Sequence, residues 1–337
     1  MKSGRLLHST IFFSLIIVTN GAATKAEYAC GDEPSPWQDI VSFHQHQPAR
    51  EIIHNVVQHE KTYDTLPADP IDVVFICHPK DSRTLDLAIN GARLNVENIR
   101  RVIVVSATRL TNNAEWFDEA AFPFNKASVS LEIFNGNKTL ANNYLMVKDT
   151  RIGWIYQQFL KLYAPFVIPG ISSNVLTIDA DTIFLNSVSF IDEAGKALFN
   201  PGKEFVPCYF AHAARLLPGF KKLYAAYSGI SHHMLFQRAI LEDLFSMIQS
   251  VHKTEPWRAF CRCIDLNEIF GSAFSEYEIY FNFVFARTEQ VKIRLLRWNN
   301  IKFDQKKIDY HAKNGFDYVS CHTYILKAQN WGNHDYA

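Results

Sequence analysis

Two carboxylates stand one residue apart in Val175-Leu176-Thr177-Ile178-Asp179-Ala180-Asp181-Thr182-Ile183-Phe184-Leu185. The residues before them are apolar and partly β-branched, which marks a strand bound for a sheet interior. A bare carboxylate cannot be carried into such an interior, because burying an unpaired charge costs too much. A cation resolves the conflict. Side chains at i and i+2 leave an extended chain on the same face. Hard oxygens of this kind suit Mg²⁺ or Mn²⁺, with substrate phosphates completing the shell. The plainer reading is a polar turn at a strand end, with Asp179 capping the backbone. The apolar run Ile183-Phe184-Leu185 argues against a simple surface turn.

Other side chains have related potential. Glu276 lies in Phe274-Ser275-Glu276-Tyr277-Glu278-Ile279-Tyr280-Phe281, two acids amid aromatics. An acid so placed can have a raised pKa and act as a general base. Ser275 and Glu278 also spell the S-x-x-E capping box, and the two readings are compatible, with Glu276 facing a pocket. Asp317 to Tyr324 reads as a short strand running into His322, whose imidazole could join two carboxylates on Mn²⁺. A single histidine on a strand is otherwise structural. Tyr227 to His233 is a compact loop in which Gly229 lets backbone approach a ligand. Within it, His232 and His233 could bind acceptor hydroxyls or phosphate, or be structural.

The elements that must position these residues read as an α/β pattern. Ile71–Cys77 is a buried strand, Asp81 or Ser82 can cap the following helix, and Arg101–Ser106 is a second strand. Strand, helix and strand at this spacing make a βαβ unit with a parallel pair. Ligands of open α/β sheets sit beyond the carboxyl ends of strands, which places Cys77, His78, Lys80 and Ser106 near a nucleotide. For His78 and Lys80, ordinary surface-loop chemistry is the competing reading. No G-x-G-x-x-G follows the first strand, which argues against a dinucleotide site. Ala127–Phe134 alternates and predicts a strand, Arg151–Tyr163 has helical periodicity, and Met234–Val251 has helical spacing. Gln157 and Lys161 lie four apart on one face of the Arg151–Tyr163 helix, and spacing alone favours a solvated face. Trp257 and Phe260 could form an acceptor-side wall.

The Asp179-x-Asp181 pair resembles the D-x-D motif of the GT-A glycosyltransferases. The ordered segments RIGWIYQQFLKLYAP, IDADTIFL, YFAHAARLLPG, YSGISHHMLF, SEYEIYFNF and YVSCHTY resemble a family of GT-A-like glycosyltransferases, over roughly residues 70 to 325. The resemblance implies a GT-A-like (Rossmann-like) α/β fold, a mixed, mostly parallel sheet flanked by helices in a single catalytic domain. It implies a nucleoside diphosphate sugar donor, UDP-linked, and a glycan, lipid or protein acceptor. Mn²⁺ or Mg²⁺ would be held by Asp181 and His322, with Asp179 on the metal, a metal-bound water or the ribose. Gln157 and Lys161 would face the donor, and Gly229 and His232 would belong to the acceptor loop. Glu276 would be the base of an inverting reaction, or would only bind acceptor in a retaining one. Two other classes stay open: a metal-dependent nucleotidyltransferase or phosphohydrolase, disfavoured by the lack of a Walker-type loop, and a non-catalytic sugar-binding protein.

Global properties bound the rest. The 337 residues suffice for one large domain, and Lys plus Arg equals Asp plus Glu at 34 each, so no net field points to nucleic acid or an anionic membrane. Residues 1–26 read as a signal peptide or an uncleaved signal anchor: Lys2 and Arg5, then Ile11–Val18, then small residues. This implies a secretory or exported protein, with membrane contact only through such an anchor. Residues 27–66 read as a polar lead-in and 67–337 as the transferase domain. The six cysteines show no C-x-x-C, which favours partly buried free thiols over a disulfide framework.

Overall fold

The computed structural model describes Tyr63 and residues 69–321. The amino-terminal segment 1–26, nearly all of 27–66, and His322 lie outside the described residues. Among the described residues no helix is long and apolar enough to cross a membrane.

The core is a five-stranded sheet in the order β3-β2-β1-β4-β7. Its strands are β1 (Ile71–Ile76), β2 (Ile99–Ser106), β3 (Glu115–Asp118), β4 (Asn174–Asp179) and β7 (His233–Gln237). The first four run parallel, and β7 pairs antiparallel with β4. This is the mixed, mostly parallel sheet expected. Every residue of β1 is buried and β4 is buried up to Asp179, as fits strands covered on both faces. A second sheet orders β5 (Thr182–Phe184), β10 (Tyr318–Cys321) and β9 (Trp298–Ile301). A third pairs β6 (Ala197–Phe199) with β8 (Val291–Ile293).

Helices surround the sheets: α1 (Leu85–Asn95), α2 (Lys126–Ile133), α3 (Lys138–Met146), α4 (Ile152–Val167), α5 (Pro207–Leu216), α6 (Arg238–His252), α7 (Pro256–Arg262), α8 (Glu276–Arg287) and α9 (Gln305–Lys313), the last packed on β10 of the second sheet. The α1 helix packs on β5 so closely that a Cβ at Gly91 would lie 2.8 Å from the Phe184 carbonyl oxygen. Tyr63 is buried, and its hydroxyl donates to Asp243 at 2.8 Å.

Four local expectations are corrected. Residues 127–134 form a helix, because Asn125 and Ser128 make a reciprocal capping box that starts α2. The 234–251 segment opens as strand β7, whose apolar run pairs with β4, and turns helical only at Arg238. Neither Asp81 nor Ser82 caps α1. A 3-10 turn over Pro79–Thr84 intervenes, capped by the His78 ring accepting from the Lys80 amide at 3.2 Å. Trp257 and Phe260 are core residues, 2% and 0% exposed, and form no acceptor wall. Among the described residues all five cysteines are free thiols.

Candidate active site

The sheet order reverses between β1 and β4: the chain builds outward from β1 to β3, then returns to place β4 on the other side. The crevice beyond the carboxyl ends of such a strand pair is where open α/β sheets bind ligands. Ile76 of β1 pairs with Asp179 of β4. Thus Cys77 and His78 leave one lip of that crevice, and Asp179-Ala180-Asp181 leaves the other. This turn is also the bridge between sheets, since Thr182 begins β5.

Every part of the turn is anchored. The Asp179 amide donates to the His232 carbonyl at 2.9 Å, and the Cys321 amide donates to the Asp181 carbonyl at 2.8 Å. The Thr84 hydroxyl donates to the Ala180 carbonyl at 2.9 Å. The Ser320 hydroxyl donates to Asp181 Oδ1 at 3.1 Å. Thr84 and Ser320 carry no sequence signal of such a role, because their partners lie 96 and 139 residues away.

Asp179 meets a cation supplied by the chain itself. Lys161 Nζ lies 2.7 Å from Asp179 Oδ1 and 3.0 Å from Glu276 Oε1. The Lys161 side chain is 7% exposed, so the face that spacing alone reads as solvated is buried. Its ammonium also sits 4.2 Å from the Tyr277 ring centroid, a cation–π distance. Burial works against the charge, but Asp179 and then Glu276 outweigh it and hold the ammonium well above its ordinary value. Glu276, 5% exposed on its side chain, is therefore the second counter-ion of a buried triad. Its amide donates to Gln158 Oε1 at 2.9 Å. Gln157, half-buried, points its amide at the Ile76 carbonyl at 3.5 Å.

Around Asp181 the field is negative. Asp181 pushes upward the pKa of Asp81, Asp179, Cys77 and Cys321, adding to burial, the largest cause, while Lys80 and His78 at Asp81 and Lys161 at Asp179 oppose the rise more strongly than Asp181 adds to it. The Cys77 thiol rises to about 12 and Cys321 to about 11, so both stay protonated and serve as walls. Hard oxygens in a negative field fit a divalent cation of the Mg²⁺ or Mn²⁺ type, held by one or two carboxylates together with substrate phosphates. Among the described residues no three His, Cys, Asp or Glu side chains gather as a metal cluster. His322 follows Cys321 directly and lies outside them.

The loop before β7 carries Gly229 and His232. The His232 ring approaches the Tyr318 hydroxyl at 3.4 Å and packs edge-on to Trp298 at 4.8 Å. His233 instead points into the core between Phe184, Phe190 and Tyr318. Burial drives its pKa well below the ordinary value, so it stays neutral and structural. The structure brings together Cys77, Gln157, Lys161, Asp179, Asp181, His232 and Glu276. Lys80 is exposed, and the His78 ring is used in the turn cap. The Ser106 hydroxyl is spent on the Thr108 carbonyl at 2.8 Å.

Residues 102–316, more than half of the chain, match the family described as "Family of unknown function (DUF6492)". No curated protein matches the chain. Two solved structures are similar to it. Mouse xyloside xylosyltransferase 1, apo form, is 10% identical with a TM-score of 0.36, over 75% of this chain and 98% of that one. An active-site mutant of LgtC is 13% identical with a TM-score of 0.37, over 74% and 86% of the two chains.

Proposed function

We propose, for a chain that belongs to the family of unknown function DUF6492, that it is a metal-dependent glycosyltransferase moving a sugar from a nucleoside diphosphate sugar, UDP-linked, to a hydroxyl of a glycan, lipid or protein. The observation that carries this reading is the Asp179-Ala180-Asp181 turn at the switch point between β1 and β4. It is supported by the negative field around Asp181 and by the resemblance of the surrounding segments to GT-A glycosyltransferases.

In transfer, the acceptor oxygen bonds to the anomeric carbon, the bond to the diphosphate breaks, and the diphosphate leaves with the electron pair. Asp181, with Asp179 and His322, would hold Mn²⁺ or Mg²⁺, which when bound offsets the charge of the departing diphosphate. The chain's own groups do the rest. Ser320 fixes the Asp181 carboxylate, and Lys161 fixes that of Asp179 and opposes the burial that raises its pKa. Cys77 and Gln157 line the β1 side, where the nucleotide would lie. His232 borders the acceptor side. Glu276, ion-paired with Lys161, would take the acceptor proton in an inverting reaction.

The direct test is a panel of nucleotide sugars assayed for Mn²⁺-dependent release of nucleoside diphosphate. Release from one donor supports the reading. Binding of a sugar without turnover, or release of free phosphate from nucleoside triphosphates, replaces it with one of the other two classes.

Two variants sort the side chains. Glu276→Gln keeps size and removes basicity. Loss of a general base lowers the rate ~10²–10⁴-fold, so transfer is nearly abolished with donor affinity kept. A raised acceptor KM at unchanged kcat makes Glu276 an acceptor-binding group instead. His322→Ala raises the Mn²⁺ concentration needed for half-maximal activity. Unchanged metal dependence in a less stable protein makes the histidine structural.

A further inference from the structure

Glu278 does not complete its capping box. It is 1% exposed in the first turn of α8. Ser275 does its half of the cap, accepting from the Glu278 amide at 3.2 Å. The Glu278 carboxylate turns away and accepts from the Gly229 amide, and from the Ser228 hydroxyl at 3.1 Å, through Oε2. Its other oxygen, Oε1, is buried without a hydrogen-bond partner among the described residues. Burial lifts this carboxyl to about 7 despite those donors, with Lys222 lowering it and Glu204 raising it. A buried carboxylate with an unsatisfied oxygen costs free energy that a surface cap would not.

What it holds is a loop with no slack. A Cβ on Gly229 would lie 2.5 Å from both Phe281 Cβ and the Tyr277 carbonyl oxygen, so the loop backbone lies directly against α8. Ser228 exchanges both backbone hydrogen bonds with Gly202, at 2.8 and 2.9 Å. The Ser228 hydroxyl accepts from the Ile230 amide at 3.0 Å while donating to Glu278. Two residues on, the His232 carbonyl receives the Asp179 amide at 2.9 Å. A continuous path therefore runs from the Glu278 carboxylate through loop 228–232 to the Asp-x-Asp turn.

We propose that Glu278 is a positioning residue: its carboxylate sets loop 228–232 against α8, so that the His232 carbonyl holds Asp179 and its turn in register with the end of β1. The placement itself rests on geometry alone. Its consequence for catalysis rests on the glycosyltransferase reading.

Amide hydrogen exchange tests the placement directly, since the Gly229 and Asp179 amides are the two ends of the path. In Glu278→Ala, protection at Gly229 and at Asp179 falls together, by about tenfold or more for a lost buried hydrogen bond. Amides of β1 and β2 keep theirs. Glu278→Gln, whose amide oxygen still accepts from Gly229, restores both. Ser228→Ala gives a smaller loss in the same pattern, and carries the test should Glu278→Ala not fold. Loss at Gly229 with Asp179 unchanged overturns the proposal, and so does a uniform loss across the sheet, which would make Glu278 merely structural. A parallel titration with UDP and Mn²⁺ separates the two claims. Weakened binding in Glu278→Ala that Glu278→Gln restores supports the catalytic consequence. A wild-type protein that binds no UDP overturns the glycosyltransferase reading, and the exchange result still decides the placement.

Discussion

Asp181→Asn abolishes Mn²⁺-dependent UDP binding and transfer while the protein stays folded. Asp181 is the group through which its surroundings are negative: Asp81, Asp179, Cys77 and Cys321 are all pushed upward by it. Its backbone position does not depend on the carboxylate, because the Cys321 amide holds the Asp181 carbonyl and Thr84 holds Ala180. The Ser320 hydroxyl can donate to the asparagine oxygen as it does to Oδ1. The described partners of Asp181 keep their bonds, and like-charge repulsion is relieved, so the thermal midpoint stays close to that of the wild type. A metal supplies several kcal/mol of charge stabilisation, and about 1.4 kcal/mol is tenfold in rate, so turnover falls by at least ~10³-fold. Calorimetric titration of UDP with and without Mn²⁺, beside a melting curve, reads both halves. Wild-type metal-dependent affinity in the variant removes Asp181 from the metal.

The legible parts of the fold are those whose period is strong and whose environment is uniform. The apolar runs 73–76 and 102–105 lie in strands, and 152–167 carries a helical stripe. The α2 segment was open to a truer reading, since Asn125 and Ser128 spell a helix start that outweighs the alternation after it. Met234-Leu235-Phe236 is too short an apolar run for periodicity to separate strand from helix. The site was half visible. Residue type and spacing expose Asp179 and Asp181, but not what answers their charge. Lys161 reads as solvated from its own helix alone, and becomes a buried cation only because Asp179 and Glu276, 18 and 115 residues away in sequence, fold onto it. Trp257 and Trp298 look alike as letters, yet one is core and the other borders His232. In Glu278 the local S-x-x-E rule yields to a loop that passes close to α8.

That buried cation sets the largest stability effect. Lys161→Met keeps the length of the side chain and deletes its charge. Asp179 and Glu276 are then left facing each other across the gap, with the Glu276 side chain only 5% exposed. Breaking a buried pair by removing one partner costs ~3–5 kcal/mol, because the remaining charge is uncompensated. The loss depends on pH, and its sign follows from who holds the proton. In the wild type the folded state raises the lysine's pKa, so its contribution is whole below the unfolded lysine value and fades only as pH rises through the folded one. In the variant the exposed imbalance is between carboxylates. Burial, Asp181 and Glu276 already raise the folded pKa of Asp179 and the lysine that lowers it is gone, so stability returns as pH falls and Asp179 takes a proton. Urea unfolding at about pH 7.5 therefore shows the full deficit, and at about pH 5 a smaller one. Adding Glu276→Gln to Lys161→Met removes one of the two like charges and recovers part of the loss at neutral pH. A Lys161→Met protein as stable as wild type at neutral pH, or one whose deficit grows on acidification, would show that Lys161 does not neutralise the triad, and Asp179 would then need another cation to answer its charge.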